Sequence, residues 1–511
     1  MKLNLMQTSI SKTNCLFDSI FEPTKNSSST FLINDNKEIS YIDFHIMINQ
    51  LANVLIKNGM RVGDRVAVQA EKSNTQIALY AATIKAGGVY LPLNTGYTSS
   101  ELDYFIKDSS AKIIIVDKDV ENIIAKNLEA NTVLLTLSSD ETGSLTTLAE
   151  EQETFFDTIE RGPDDLAAIL YTSGTTGKSK GAILSHQNLL SNTKVLKEYW
   201  KFTKKDVLLH MLPIYHTHGL FVASNLLAYV GGSMIFLPKF DIEQALKWMN
   251  KSTTMMGVPT FYTRLLSDNR FNHSLTKHMR LFISGSAPLL AETHKEFEDR
   301  TSKKILERYG MTETNMSTSN PYDNERIAGT VGLPLPGIQL RIADDKGNEV
   351  EQGQIGIIEL KGENVFKGYW QMPGKTSESF REDGFFITGD MAKVDENGYV
   401  TIVGRDKDLI ISGGLNIYPK EVETIIDEIE SIEESAVFAA PHKDFGEAVV
   451  AAVVRKNEAI LEIEIINYLS DKLAKFKQPK KIIFLDSLPR NAMGKVQKAE
   501  LRQKYQKLFN D

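Results

Sequence analysis

The chain has 511 residues, beyond the ~250–300 at which single hydrophobic cores stop growing, so two or more domains are expected. A formal net charge of −8 offers no cation excess for a nucleic-acid backbone, and the one cysteine, Cys15, cannot close an internal disulfide. No apolar run reaches the ~20 residues that a membrane-spanning helix needs, and no Cys/His cluster has zinc spacing. The first six residues, Met-Lys-Leu-Asn-Leu-Met, are too interrupted for a secretory leader. Lys2 and Lys12 among Ser and Thr leave a mitochondrial presequence open, but Asp18 and Glu22 come early and no arginine precedes Arg61. A cytoplasmic location is expected.

In chain order, residues 41–59 carry apolar positions at helical spacing and stop at Gly59, which predicts a helix with a glycine cap. Residues 65–70 read as a strand, 75–86 as a helix, and 112–117 as the uniformly apolar strand of a parallel sheet. The alternation returns at 233–237 and 279–284, which predicts α/β layers. From about residue 335 short alternating strands with glycine turns take over, as in 354–360 and 398–404, so a β-rich subdomain is expected. Beyond Ile417 the spans 419–430 and 462–474 read as helices, and 434–440 and 448–455 as strands: a small α+β unit. These readings give a large α/β N-terminal domain (1–404), a polar hinge (405–408) and a small C-terminal domain (409–511).

Residues 171–181, Tyr-Thr-Ser-Gly-Thr-Thr-Gly-Lys-Ser-Lys-Gly, are the chemically richest segment. Glycines let backbone N–H groups approach an anion, hydroxyls donate to it, and Lys178 and Lys180 offset its charge, so a polyphosphate is the expected ligand. The Walker pattern needs a glycine where Thr172 stands, which makes this a nucleotide loop of another kind.

Four further motifs follow that loop: Tyr309-Gly-Met-Thr-Glu-Thr314, Thr388-Gly-Asp390, Gly404-Arg405 and Pro489-Arg-Asn-Ala-Met-Gly-Lys495. In this order they resemble the ANL superfamily of adenylate-forming enzymes, which includes the acyl-CoA synthetases, over nearly the whole chain. The resemblance implies that fold, with ATP, Mg²⁺ and coenzyme A as reactants and cofactor. It implies a carboxylate attack on the α-phosphate, followed by displacement of AMP by the CoA thiol. On it, Thr172, Ser173, Gly174, Thr175, Thr176, Gly177 and Lys180 would hold the phosphates, with Thr312 donating to them. Glu313 would ligate magnesium, which favours one or two carboxylates plus phosphate oxygens. Tyr309 and Gly310 would face adenine opposite Gly285, Ser286 and Ala287. Asp390 would take the ribose hydroxyls, with Arg405 and Arg308 near the nucleotide. Lys495 would be the catalytic ammonium, Lys407 the hinge residue, and Gly413 and Gly414 the lining of the pantetheine tunnel.

The segments 212–219, 237–241, 256–266, 284–288 and 312–316 further resemble the malonyl-CoA synthetases of that superfamily. Malonate, or a closely related small diacid, is therefore the expected acid, and a second carboxylate in a closed pocket needs a cationic partner. Arg264, expected early in a pocket-lining helix, is the first choice of clamp and Arg308 the second. His216 would orient the reacting carboxylate and Met311 would line the substrate pocket. His218 is expected to be structural, since no third metal ligand accompanies His216-x-His218. Alternatives are methylmalonate, another short carboxylic acid, or loading of a carrier protein, although no carrier follows Asp511.

Overall fold

The computed structural model describes residues 13–35, 37–129, 131–172, 179–287, 289–412, 415–442, 445–456, 460–470, 472–491 and 494–509. The expectations for Ser173, Gly174, Thr175, Thr176 and Gly177, and for Gly413 and Gly414, lie outside the described residues.

The expected helix–strand alternation forms two large sheets. Strands Arg65–Gln69, Val89–Pro92, Ile113–Val116, Val133–Thr136 and Leu166–Thr172 run parallel, and Lys180–Ser185 and Gly368–Tyr369 extend this sheet antiparallel at one edge. The second sheet has nine strands. Its parallel part runs in the order Leu306–Met311, Leu281–Ser284, Thr254–Gly257, Val207–His210, Ser233–Phe236 and Thr30–Ile33. Helix Asn74–Lys85 is buried at every residue, which explains why its sequence is dominated by Ala, Ile, Leu, Tyr and Thr, with little polar face. Helix Tyr41–Lys57 begins where Ser40 accepts from the Asp43 N–H and ends before Gly59, which takes φ 85°.

The β-rich stretch is an antiparallel sheet of Gln339–Ala343, Gly356–Lys361, Phe386–Val394 and Val400–Arg405. A 3₁₀ turn, Asp406–Asp408, leads from it into a five-stranded sheet built on the long hairpin Ile432–His442 and Gly446–Arg455. Helix Pro419–Ile426 is shorter than the span 419–430, because turns from Ile429 to Ile426 and from Ile432 to Ile429 carry the chain into the hairpin. Helix Glu462–Ser470 likewise ends before residue 474. Strand Lys481–Leu485, parallel to Gly446–Arg455, and helix Lys498–Lys504 complete the unit and were not anticipated.

Candidate active site

Most of the site stands at the carboxyl ends of the parallel strands in the nine-stranded sheet, where open α/β sheets form their ligand crevice. His216 follows strand Val207–His210, and helix Pro259–Leu266 follows Thr254–Gly257. Ser286 follows Leu281–Ser284, and Thr312 and Glu313 follow Leu306–Met311. The connections place four segments distant in sequence along one edge.

Glu313 sits in the turn of a β-hairpin. Strand Leu306–Met311 pairs antiparallel with Asn315–Ser319, Asn315 takes φ 50°, and the Thr314 N–H donates to the Met311 carbonyl. A Cβ on Gly310 would lie 1.8 Å from the Asn315 carbonyl oxygen, so only glycine lets the two strands close here. Glu313 is buried at 5% exposure, and that burial raises its pKa. Tyr369 donates its hydroxyl to Glu313 Oε1 at 3.0 Å.

Strand Leu166–Thr172 pairs antiparallel with Lys180–Ser185, with Thr172 opposite Lys180 in register and the Thr172 hydroxyl 3.4 Å from the Lys180 carbonyl. The strand–loop–helix of a Walker site is absent at this position. The Lys180 ammonium lies 4.2 Å from the centre of the Tyr369 ring.

Asp390 is the hub of a second group. Tyr309 donates to Asp390 Oδ2 at 2.6 Å and Arg405 Nε to Oδ1 at 2.6 Å. The Tyr309 hydroxyl is also 4.0 Å from Met311 Sδ. Burial and the adjacent Asp390 carboxylate hold the Tyr309 hydroxyl in its protonated form.

Lys495 comes from the C-terminal unit yet belongs to this cluster. Its N–H donates to Asn491 Oδ1 at 2.9 Å, and Gly494 beside it takes φ 74°, its Cβ direction 3.9 Å from the Thr260 hydroxyl. The loop thus lies against the first turn of helix Pro259–Leu266. Lys495 stays open to solvent, but protein surrounds its ammonium closely enough to lower its pKa. Arg405 and Lys407 lower it further, while Asp390 and Glu313 oppose them. Lys407, before the five-stranded unit, also has a lowered pKa, from burial and then from Arg405.

Arg308 lies on the same strand as Tyr309, one residue earlier, and is only 3% exposed. Its Nε and Nη2 are buried without a hydrogen-bond partner, and desolvation lowers its pKa to about 9. Its guanidinium occupies the space a side chain at Gly285 would need: a Cβ there would lie 2.4 Å from the guanidinium carbon. Burial first, then Arg308 and Lys495, lower the His216 pKa to about 4, so its ring is neutral at pH 7. His218, also held neutral by burial and Arg308, accepts or donates at 3.3 Å with the Ser286 hydroxyl and keeps Nε2 unpartnered.

The two arginines differ in position. Helix Pro259–Leu266 forms as expected, but Arg264 stands in its last turn, exposed, with its guanidinium 5.8 Å from the Phe240 ring centre. The structure does not bring it into the buried group that holds Arg308, His216 and His218. Ala287 follows Ser286 on the turn and Thr312 precedes Glu313, both partly exposed at the crevice.

A family profile described as AMP-binding enzyme matches residues 22–370, and its companion, AMP-binding enzyme C-terminal domain, matches 421–495. The chain belongs to the AMP-binding enzyme family. It has the adenylating fold of the ANL acyl-CoA synthetases, with a large N-terminal part and a small C-terminal one. A protein named malonate–CoA ligase from Arabidopsis thaliana is 34% identical over 540 residues, covering 96% of this chain and 88% of its own length. A long-chain-fatty-acid–CoA ligase of Bacillus subtilis is 33% identical over 91% of this chain and 90% of its own. The ATP-bound crystal structure of MatB from Rhodopseudomonas palustris is 55% identical, with a TM-score of 0.94 over 97% of this chain and 99% of that one. The apo form of MatB gives a lower TM-score, 0.84. The chain is thus nearer in fold geometry to the ATP-bound form than to the apo form. No helix among the described residues is long and apolar enough to cross a membrane.

Tyr369, which links Lys180 to Glu313, was not singled out from the sequence. The run Phe366-Lys-Gly-Tyr-Trp370, aromatic on both sides of a glycine, was the available signal.

Proposed function

We propose that the protein is a malonate–CoA ligase that works through a malonyl-adenylate. One malonate carboxylate attacks the α-phosphorus of ATP and pyrophosphate departs. The CoA thiol then attacks the acyl carbonyl and AMP departs. The observation that carries the choice of acid is Arg308, a buried guanidinium with two nitrogens unpartnered and no carboxylate paired to it among the described residues. A buried charge without a partner is costly, and a second substrate carboxylate is the group that would relieve it. A monocarboxylic acid would leave Arg308 unpaired, and sites built for a polar group reject analogues that lack it.

The remaining residues fit the first half-reaction. Neutral His216 orients the reacting carboxylate without trapping it as an ion pair. Lys495 places positive charge where it develops on the α-phosphate, an electrostatic role in an enclosed site. Asp390 and Tyr309 hold the nucleoside, and Thr172, Lys180 and Thr312 hold the phosphates. Glu313 suits magnesium: among the described residues no three acidic or histidine side chains cluster, so one carboxylate with the ATP oxygens would hold the ion. When bound, it would offset charge on the phosphates. Residues 405–408 serve as the hinge between residues 1–404 and 409–511, and Gly413 and Gly414 are proposed to line the thiol path. The cytoplasm is the proposed location, in keeping with a single free cysteine.

The test is a panel of acids assayed by AMP and pyrophosphate release with ATP, Mg²⁺ and CoA. Malonate should lead; equal turnover of acetate or hexanoate would remove malonate as the substrate while leaving the ligase.

A further inference from the structure

Two of the proposed ATP-site groups, Lys180 and Glu313, come from different sheets and are 133 positions apart in sequence, yet both touch one side chain. The Lys180 ammonium lies 4.2 Å from the centre of the Tyr369 ring, while the Tyr369 hydroxyl meets Glu313 Oε1 at 3.0 Å. Tyr369 is 8% exposed and its ring packs edge-on against Phe366.

The backbone around Tyr369 is tied to the same two partners. Gly368 and Tyr369 pair with Ile183 and Ala182, on the strand that Lys180 begins, and the Trp370 N–H donates to the Gly181 carbonyl at 2.7 Å. On the other side the Phe366 N–H donates to the carbonyl of Glu313 itself at 2.7 Å, and Asn364 Nδ2 donates to the Thr314 carbonyl at 2.7 Å. The Thr376 hydroxyl accepts from the Tyr369 N–H at 2.9 Å and fixes the residue on this strap. The segment 364–370 therefore clamps the Glu313 turn to the Lys180 hairpin, and Tyr369 is where the clamp reaches both charged side chains.

We infer that Tyr369 is a positioning residue for ATP, its hydroxyl orienting the Glu313 carboxylate toward the metal and its ring steering the Lys180 ammonium toward the phosphates. The two roles are separable by chemistry. An outer hydrogen bond to a ligating carboxylate commonly governs metal affinity by 10–100-fold. A cation over an aromatic face is held by the ring, with or without a hydroxyl.

The inference rests on the ATP-site reading above, and the experiment distinguishes the failure of either. Equilibrium binding of ATP to the full chain is measured with and without Mg²⁺ for the wild type, Tyr369→Phe and Tyr369→Leu, with a thermal melt of each. Tyr369→Phe should keep metal-free ATP affinity within about twofold while its magnesium requirement rises about tenfold. Tyr369→Leu should show the same magnesium defect and weaken metal-free ATP binding by about fivefold as well. A Phe variant with wild-type magnesium dependence, or one that loses metal-free and magnesium-dependent binding equally, would overturn the role of the hydroxyl. A Leu variant no weaker than Phe for metal-free ATP would overturn the role of the ring. Absence of ATP binding by the wild type would instead overturn the reading of the site.

Discussion

The Arg405 guanidinium meets the Asp390 carboxylate at 2.6 Å, across the paired strands Phe386–Val394 and Val400–Arg405, directly before the 3₁₀ turn Asp406–Asp408. The proposed ribose acceptor is thus fixed by the first residue of the proposed hinge, 405–408. Tyr309 takes the other oxygen of Asp390, so nucleoside site and hinge share one carboxylate.

Asp390→Asn removes the charge that holds Arg405 and replaces one of the two acceptor oxygens with an NH2 donor. ATP affinity should fall on the order of tenfold, as measured by equilibrium binding. Arg405 is about a third exposed, so the stability loss should be only about 1 kcal/mol by denaturant titration. Unchanged ATP affinity would place the ribose elsewhere.

Arg308→Met should lower malonate kcat/KM on the order of a hundredfold, the scale of removing one partner of a desolvated charge pair. Its folded state should be as stable as the wild type or more so, since a buried charge without a partner is removed. Arg264→Met tests the exposed arginine and should cost less than tenfold. The reverse order of the two effects would return the clamp to Arg264.

Lys495→Ala should lose adenylate formation on the order of a hundredfold while still passing supplied malonyl-adenylate to CoA. Loss of both half-reactions to the same degree would contradict a role confined to the first.

His45 and His186 are buried, and burial lowers each to about 4 from an ordinary 6.5. The unfolded chain therefore binds protons that the folded chain refuses. Their contribution to stability is complete above pH 6.5 and falls as pH drops toward 4, by about 1.4 kcal/mol per pH unit for each histidine. Denaturant titrations at pH 7 and pH 5 should show the loss, and His186→Gln should reduce the slope by about one histidine's share. An unchanged slope in that variant would assign the acid sensitivity to other groups.

Much of the site was legible because its chemistry is local. Glu313 beside Thr312 and Lys495 beside Gly494 stand in short motifs, and the family resemblance that those motifs carry nominated them. The strand expected over 112–117, found as Ile113–Val116, was visible because a continuous apolar run marks a buried parallel strand. Strand Lys481–Leu485 carries a similar run, Lys-Ile-Ile-Phe-Leu, but its place beside Gly446–Arg455 is a long-range pairing.

The choice between Arg264 and Arg308 shows where sequence stopped. Both are arginines beside recognisable motifs, and local pattern gave no reason to bury one of them. Tertiary packing did: Arg308 points under the turn at Gly285 toward His216 and His218, while Arg264 ends a short helix facing solvent near Phe240. The sequence determined which kinds of groups an adenylating site needs and their order along the chain, because those groups are set by the chemistry of phosphate and carboxylate. Only the tertiary structure decided which charge is desolvated and which side chain joins two loops, because burial and contact come from elements remote in the chain.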